Sequence, residues 1–177
     1  MVILRIRTFG DPGLRQRAGE VDKITDLHRK LIADMFDTMR EAPGVGLAAP
    51  QVGVMERIFV WELEDRSGTF INPTLVSRSS ETEEDEEGCL SLPGIVYEVR
   101  RSSEVTIEGL DVDGNPTRIE ASGLLARIFQ HEVDHLDGVL FVDRLSEEMR
   151  REALTTLRNQ ALGLPTAPAE VPAEEAL

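Results

Sequence analysis

The stretch Gln130-His131-Glu132-Val133-Asp134-His135-Leu136-Asp137-Gly138 governs the reading of this chain. Two histidines four apart on a helix lie on one face, about one turn from each other, so both imidazoles can reach one divalent metal. Glu132, next to the first of them, stands where it could take a proton from a water at that metal. The pattern points to a metal-dependent hydrolase that attacks an amide or a related carbonyl. Leu124, Leu125, Ile128, Phe129 and Leu136 surround the segment with apolar side chains, so the helix should be central. Ser122 is a good N-cap for it and Gly138 a good stop. Two histidines and a glutamate are costly to bury without partners, which favours a metal over coincidence.

Working outward, two more helices are expected. One covers 25–41, where Leu27, Leu31, Met35 and Met39 recur every fourth residue and Ile32 and Phe36 broaden the stripe; Pro43-Gly44 ends it. The other begins at Ser146, with Glu147 and Glu148 at its positive end. It packs through Met149, Ala153, Leu154, Leu157 and Ala161, and stops at Gly163 and Pro165. Short β-branched runs at 58–63, 70–76, 95–99, 105–110 and 117–121 read as strands, the last two joined by a turn at Asp113-Gly114-Asn115. The first seven residues also alternate like a strand. Strands joined by turns, not alternating singly with helices, predict an α+β fold. Short antiparallel sheets should pack around a central metal-binding helix, with an N-terminal and a C-terminal helix.

The chain has 177 residues, 41% apolar and 29% charged, which predicts one catalytic domain over 1–163 and a disordered Pro/Ala/Glu tail over 164–177. No apolar run approaches the roughly 20 residues that cross a bilayer, and the N-terminus has no secretory or transit character, so a cytoplasmic protein is expected. A net charge of −14 argues against a specific nucleic-acid site. Six acids in the seven positions 81–87 read as a solvated loop, whereas Arg144, Arg150, Arg151 and Arg158 cluster in or just before the last helix. His28 reads as an exposed polar residue of the first helix.

Two residues compete to be the third metal ligand. Glu152 lies at a workable distance downstream for a zinc endopeptidase of the H-E-x-x-H type. Cys89, the only cysteine, sits in Glu87-Gly88-Cys89-Leu90-Ser91 and offers a thiolate suited to zinc or ferrous iron. Glu152 fits equally well as an exposed charge, while Gly88 lets backbone approach a ligand closely, so Cys89 is favoured. Gly44-Val45-Gly46-Leu47-Ala48-Ala49-Pro50-Gln51 lacks the third glycine and the lysine of a phosphate loop, which excludes a nucleotide site. Gln51 could donate a hydrogen bond to a developing oxyanion.

Taken together and in order, these three segments resemble the peptide deformylase motifs G-x-G-L-A-A-x-Q, E-G-C-L-S and Q-H-E-x-D-H. Asp11-Pro12-Gly13-Leu14-Arg15 also resembles the family's N-terminal segment, and the likeness spans about residues 5 to 160. The resemblance implies removal of the N-formyl group from the initiating methionine of new proteins, with release of formate. It implies Cys89, His131 and His135 as ligands of one divalent ion, ferrous iron in the cell, with zinc, nickel or cobalt as substitutes. Glu132 would be general base and then acid, and Gln51 with the backbone N–H of Leu90 would stabilise the oxyanion. Asp134 would support the site without being a ligand. An extended peptide would lie beside Val45, Gly46 and Gly88, with Leu124 and Val45 lining the methionine pocket.

The resemblance also has departures. Pro43 occupies the place of an acidic residue that in relatives pairs with an arginine matching Arg101, leaving Glu41, Glu87 or solvent to Arg101. Arg127 and Asp85 are polar where relatives are commonly apolar, and either pair at the pocket rim or are both solvated. The helical ending, Ser146 to Leu162, resembles the form common in Gram-negative bacteria and organelles. The lack of a transit segment prefers a bacterial cytoplasm, and the arginines of the last helix suggest docking at the ribosome, where nascent chains emerge. A catalytically silent binding module is the remaining alternative, against which intact Glu132 and Gln51 argue.

Overall fold

The computed structural model describes residues 2–166. In chain order the elements are α1 (Asp26–Glu41), β1 (Gly46–Ala48), β2 (Ile58–Leu63), β3 (Arg66–Arg78), β4 (Thr82–Cys89), β5 (Leu92–Ser102), β6 (Glu104–Leu110), β7 (Pro116–Ser122), α2 (Gly123–Leu136) and α3 (Glu147–Ala161). Single 3-10 turns at Pro12–Arg15, Ala49–Val52 and Phe141–Arg144 punctuate the connections. All strand pairs are antiparallel: a five-stranded sheet in the order β1-β2-β3-β6-β7, and a separate β4-β5 ribbon. The expected α+β class holds.

Helix α2 lies against the five-stranded sheet because its apolar residues leave almost no solvated face. Phe129 is fully buried and meets Phe70 and Trp61 edge-on, with ring centroids 5.5 and 5.3 Å apart. Such aromatic contacts add about 0.5–1.5 kcal/mol beyond area burial. Gln130, buried on the same helix, clamps the end of β5 by accepting from Ser102 N–H and donating to its carbonyl. The helix is thereby tied to the sheet and the ribbon together. A second core, with Leu92, Ile95, Val99, Phe141 and Leu157, joins the ribbon to α3, and a third seats α1 on β1 and β2 through Met35, Met39, Ile58 and Val60.

Several local expectations are corrected. The acidic stretch is not a loop but strand β4, in register with β5 from Thr82↔Ser102 to Gly88↔Val96. Its charges are compatible with pairing because most of them stay in water, Glu84 meets Arg100, and only Glu87 is buried. Strand β1 was hidden in the glycine-rich segment, while the alternating N-terminus joins no sheet. Its Leu4 N–H donates to Thr38 Oγ1 and its Arg7 N–H to the Gln51 carbonyl. Leu27 is 78% exposed, so the buried stripe of α1 begins a turn later, and Ala161 is exposed on α3. His28 is half-buried: its Nδ1 accepts from Thr25 N–H at the start of α1, and its Nε2 faces Glu56 at 3.2 Å. Residues 164–166 are exposed and irregular, and the rest of the expected tail lies outside the described residues.

Candidate metal centre

The last turns of α2 carry two imidazoles to one point. His131 and His135 Nε2 atoms face each other at 3.1 Å, and Cys89 Sγ lies 3.3 Å from His135 Nε2. Ligand-atom edges in a tetrahedral site with metal–nitrogen and metal–sulfur bonds of ordinary length are about 3.3–3.6 Å. Cys89 reaches this position because β4 ends there and the chain turns sharply into β5, with Cys89 paired to Leu92 after a register shift at Gly88. Among the described residues these three form the one group of histidine, cysteine or carboxylate donors converging on a point, all within 4.8 Å of one another. Glu152 is exposed on α3 and takes no part in the group.

The arrangement of the partners tests whether a metal fits. His131 Nδ1 meets Glu87 Oε1 at 2.5 Å, which keeps the ring proton there and leaves the Nε2 lone pair aimed at the other donors. Burial would raise the Glu87 carboxyl, but hydrogen bonds from His131 and Arg101, and their charge, hold it well below the usual carboxylate range. Burial likewise disfavours a charged His131, yet Cys89 and Glu87 outweigh it and lift this ring well above its ordinary value. His135 goes the opposite way, pushed down by burial and by the charge of His131. Two rings in contact that cannot both be protonated, with a thiol beside them, suit a cation better than two protons. Buried His135 Nδ1 has no hydrogen-bond partner among the described residues.

Beside the donors runs a cleft of about 480 Å³. Val45, Gly46, Gln51, Gly88, Cys89, Leu90, Leu124, His131 and Glu132 all line it, so the three sequence segments meet on one cavity, while His135 is not part of its lining. Glu132 is 3% exposed, its Oε2 has no hydrogen-bond partner among the described residues, and burial pushes its carboxyl up to about 7. Gly46 is required by this residue: a Cβ there would come within 2.8 Å of Glu132 Cδ. Gly88 also lines the cleft but is under no such demand, since a Cβ would make ordinary 3.5 Å contact with Val96. Gln51 is buried with its amide orientation fixed, because Oε1 accepts from Ala48 N–H at 2.9 Å. Its Nε2 therefore points to Ser91 Oγ at 3.1 Å and Cys89 Sγ at 3.7 Å.

The arginine expectations divide. Arg101 is buried and takes Glu87, with its Nε and Nη2 donating to the two carboxylate oxygens at 3.0 and 2.6 Å; Glu41 and solvent are excluded. Arg127 does not pair with Asp85. It is buried and donates to Glu87 Oε2, to Val99 O and to Glu83 O, whereas exposed Asp85 accepts from the Glu86 N–H. Asp134 lies outside the donor group and accepts from Arg101 and Arg144. Sequence reading overlooked Ser91, fully buried, whose N–H donates to Cys89 Sγ at 3.4 Å and whose hydroxyl meets Gln51. A serine among the apolar residues after Cys89 was the available signal.

Comparison with known proteins agrees with this geometry. The family model described as polypeptide deformylase matches residues 3–151. A peptide deformylase of Acidothermus cellulolyticus is 48% identical over 158 residues, covering 89% of this chain and 87% of the relative. Peptide deformylase 1 of Corynebacterium glutamicum is 46% identical over 165 residues, covering 91% and 98%. Among solved structures, a peptide deformylase from Legionella pneumophila superposes with a TM-score of 0.86 at 42% identity, covering 91% of this chain and 96% of that one. The Ehrlichia chaffeensis peptide deformylase in complex with actinonin gives 0.87 at 38% identity, covering 90% and 98%. With its candidate metal donors, candidate general base and cleft built from the same three segments, the chain belongs to the polypeptide deformylase family.

Proposed function

We propose that this protein hydrolyses the N-formyl group of formyl-methionyl nascent peptides, releasing formate and a free amino terminus. The observation that carries the reading is the unpartnered, buried Glu132 oxygen on the cleft, beside the converging Cys89, His131 and His135 donors. Those three residues would hold one divalent ion, which would supply Lewis-acid polarisation and a water of lowered pKa. A Cys/His/His donor set suits ferrous iron, the ion we assign in the cell, and admits zinc, nickel or cobalt.

In the reaction, water adds to the formyl carbon, the carbon–nitrogen bond breaks, and the amine leaves with a proton. Glu132 takes the proton from the water and returns it to the amine nitrogen, a role that suits a carboxyl poised near 7. Gln51 Nε2 and the Leu90 backbone N–H donate to the oxyanion that forms on the formyl oxygen. Because Ala48 fixes the Gln51 amide, the donor need not reorient when charge develops. The peptide backbone extends beside Val45, Gly46 and Gly88, and Leu124 with Val45 receives the methionine side chain. Residues 1–163 act as one catalytic domain.

No described helix is long and apolar enough to cross a membrane. We place the reaction in a bacterial cytoplasm, at the ribosome, with docking through the last helix. There Arg150 and Arg151 are exposed although they also meet Asp143 and Glu147. Neutralising Arg150, Arg151 and Arg158 together should weaken co-sedimentation with ribosomes; undiminished co-sedimentation removes the docking reading. The reaction itself is tested by formate release from formyl-Met-Ala-Ser, using protein purified anaerobically and analysed for metal. Absence of formate from metal-loaded protein, or equal release by Glu132→Ala, would overturn it.

A further inference from the structure

His131 is held by more than its own helix. Its Nδ1 shares Glu87 Oε1 with Arg101 Nη2, and Arg101 Nε together with Arg127 Nη1 holds Glu87 Oε2. The remaining terminal nitrogen of Arg101, Nη1, reaches Asp134 Oδ2 at 2.6 Å. Asp134 is in turn gripped from outside: Arg144 Nη2 donates to Oδ1 at 2.7 Å and Arg144 Nε to Oδ2 at 3.2 Å. Side chains along this line are 8% exposed at Asp134, 5% at Arg101 and 5% at Glu87, but 41% at Arg144. A single row of charges therefore runs from the surface turn before α3 to an imidazole of the proposed metal site.

The charge balance makes the outer end matter. Glu87 and Asp134 are two buried carboxylates with one arginine, Arg101, between them. Arg144 supplies the only side-chain donor to Asp134 Oδ1 among the described residues. Without it, a buried carboxylate draws harder on Arg101, the same cation that orients Glu87 against His131. We propose that Arg144 is a positioning residue for His131, acting through Asp134, Arg101 and Glu87, and that it governs how tightly the site holds a divalent ion. The inference rests on the reading of His131 as a metal ligand, and on the deformylase reading only through that.

A merely structural Arg144 would fasten the turn at Phe141–Arg144 and nothing more. Arg150 provides the contrast, since it ties the same turn through Asp143 at 3.1 Å and forms no ion pair with Asp134. Full-length protein loaded with cobalt(II) is compared as wild type, Arg144→Ala, Arg144→Lys and Arg150→Ala. The readouts are the rate of cobalt loss to a chelator, the visible absorption bands, and the melting temperature of the metal-free protein. Arg144→Ala should lose cobalt about tenfold faster, as for other residues that orient metal ligands, and shift the bands. Arg144→Lys, whose single ammonium does not reproduce the two-point grip, should fall between. Arg150→Ala should melt lower yet keep the wild-type rate and bands.

A wild-type rate and spectrum in Arg144→Ala overturns the proposal, as does equal acceleration by Arg150→Ala. If Arg144→Ala fails to fold, Arg144→Lys against Arg150→Ala decides on the same terms. Wild-type protein that takes up no cobalt overturns the ligand reading and this inference together. Protein that binds cobalt but releases no formate strikes the proposed function alone, and the cobalt measurements still decide the role of Arg144.

Discussion

Helices α2 and α3 are almost the same length, fourteen and fifteen residues, and treat charge in opposite ways. Helix α2 buries Arg127, Glu132, Asp134 and His135, whereas α3 buries only Ala153 and Leu157 and leaves Glu147, Arg151 and Glu152 in water. A buried charge costs several kcal/mol unless it is partnered, so a helix that keeps four titratable groups inside must either satisfy them or use them. Arg127 and Asp134 are satisfied by ion pairs, while Glu132 keeps an oxygen free. The difference separates buried polar residues held by partners from one left without any among the described residues, and both from charges that only meet solvent.

The sharpest test of that separation is Glu132→Gln. It keeps the shape of the side chain and removes its capacity to take a proton. Formate production should fall by about 10⁴-fold, near the upper end for a lost general acid–base, with metal content unchanged. A small loss would mean that Glu132 is another partnered support like Asp134, and the distinction within α2 would break.

Arg101→Met addresses the supports. It leaves Glu87 and Asp134 buried with fewer partners, and breaking a buried pair from one side costs about 3–5 kcal/mol. For a domain of this size that is a fall of about 10 °C in melting temperature, measured on the metal-free protein. An unchanged melting point would mean that water reaches these carboxylates and that α2 resembles α3 more than its burial indicates.

Across the cleft, Gln51→Ala should lower kcat by about 10²–10³, as for loss of one oxyanion donor, and destabilise the fold by about 1–3 kcal/mol because the buried Ala48 N–H loses its acceptor. Gly46→Ala should cost roughly 10² in kcat, because the new methyl displaces the Glu132 carboxylate. A crystal structure of the second variant should show Glu132 moved. An unmoved Glu132 with full activity would separate β1 from the work of α2.

These outcomes bear on what the sequence could reveal. The three motif segments were legible because each combines residue types that chemistry rarely tolerates together, such as His131, Glu132 and His135 on an apolar helix. Their meeting on one cleft followed. Strand β4 was not legible, since its exposed positions carry no apolar alternation; its register is imposed by β5, whose Val99 and Ile95 are buried. Of the partners of Glu87, Arg101 was among the alternatives the sequence offered, whereas Arg127, forty residues away, was not. Asp85 was the partner weighed for Arg127 because sequence shows composition around a pocket but not which side chain a pleated strand turns inward. His28 was misjudged for a related reason: capping depends on where a helix starts, to within one residue.

The smallest expected effect completes the contrast between the helices. Arg151 and Glu147 form an i,i+4 pair on α3 at 3.3 Å, with side chains 77% and 92% exposed. Water screens the attraction, and holding two long side chains in one geometry costs entropy that offsets most of the gain. Arg151→Ala should therefore change unfolding free energy by less than about 0.5 kcal/mol and leave formate release at the wild-type rate. Urea unfolding at low and high salt measures the first, and the formate assay the second. A loss of several kcal/mol would show that exposure does not mark the charges of α3 as dispensable, and that its arginines bear on the same network that Arg144 enters from the turn before it.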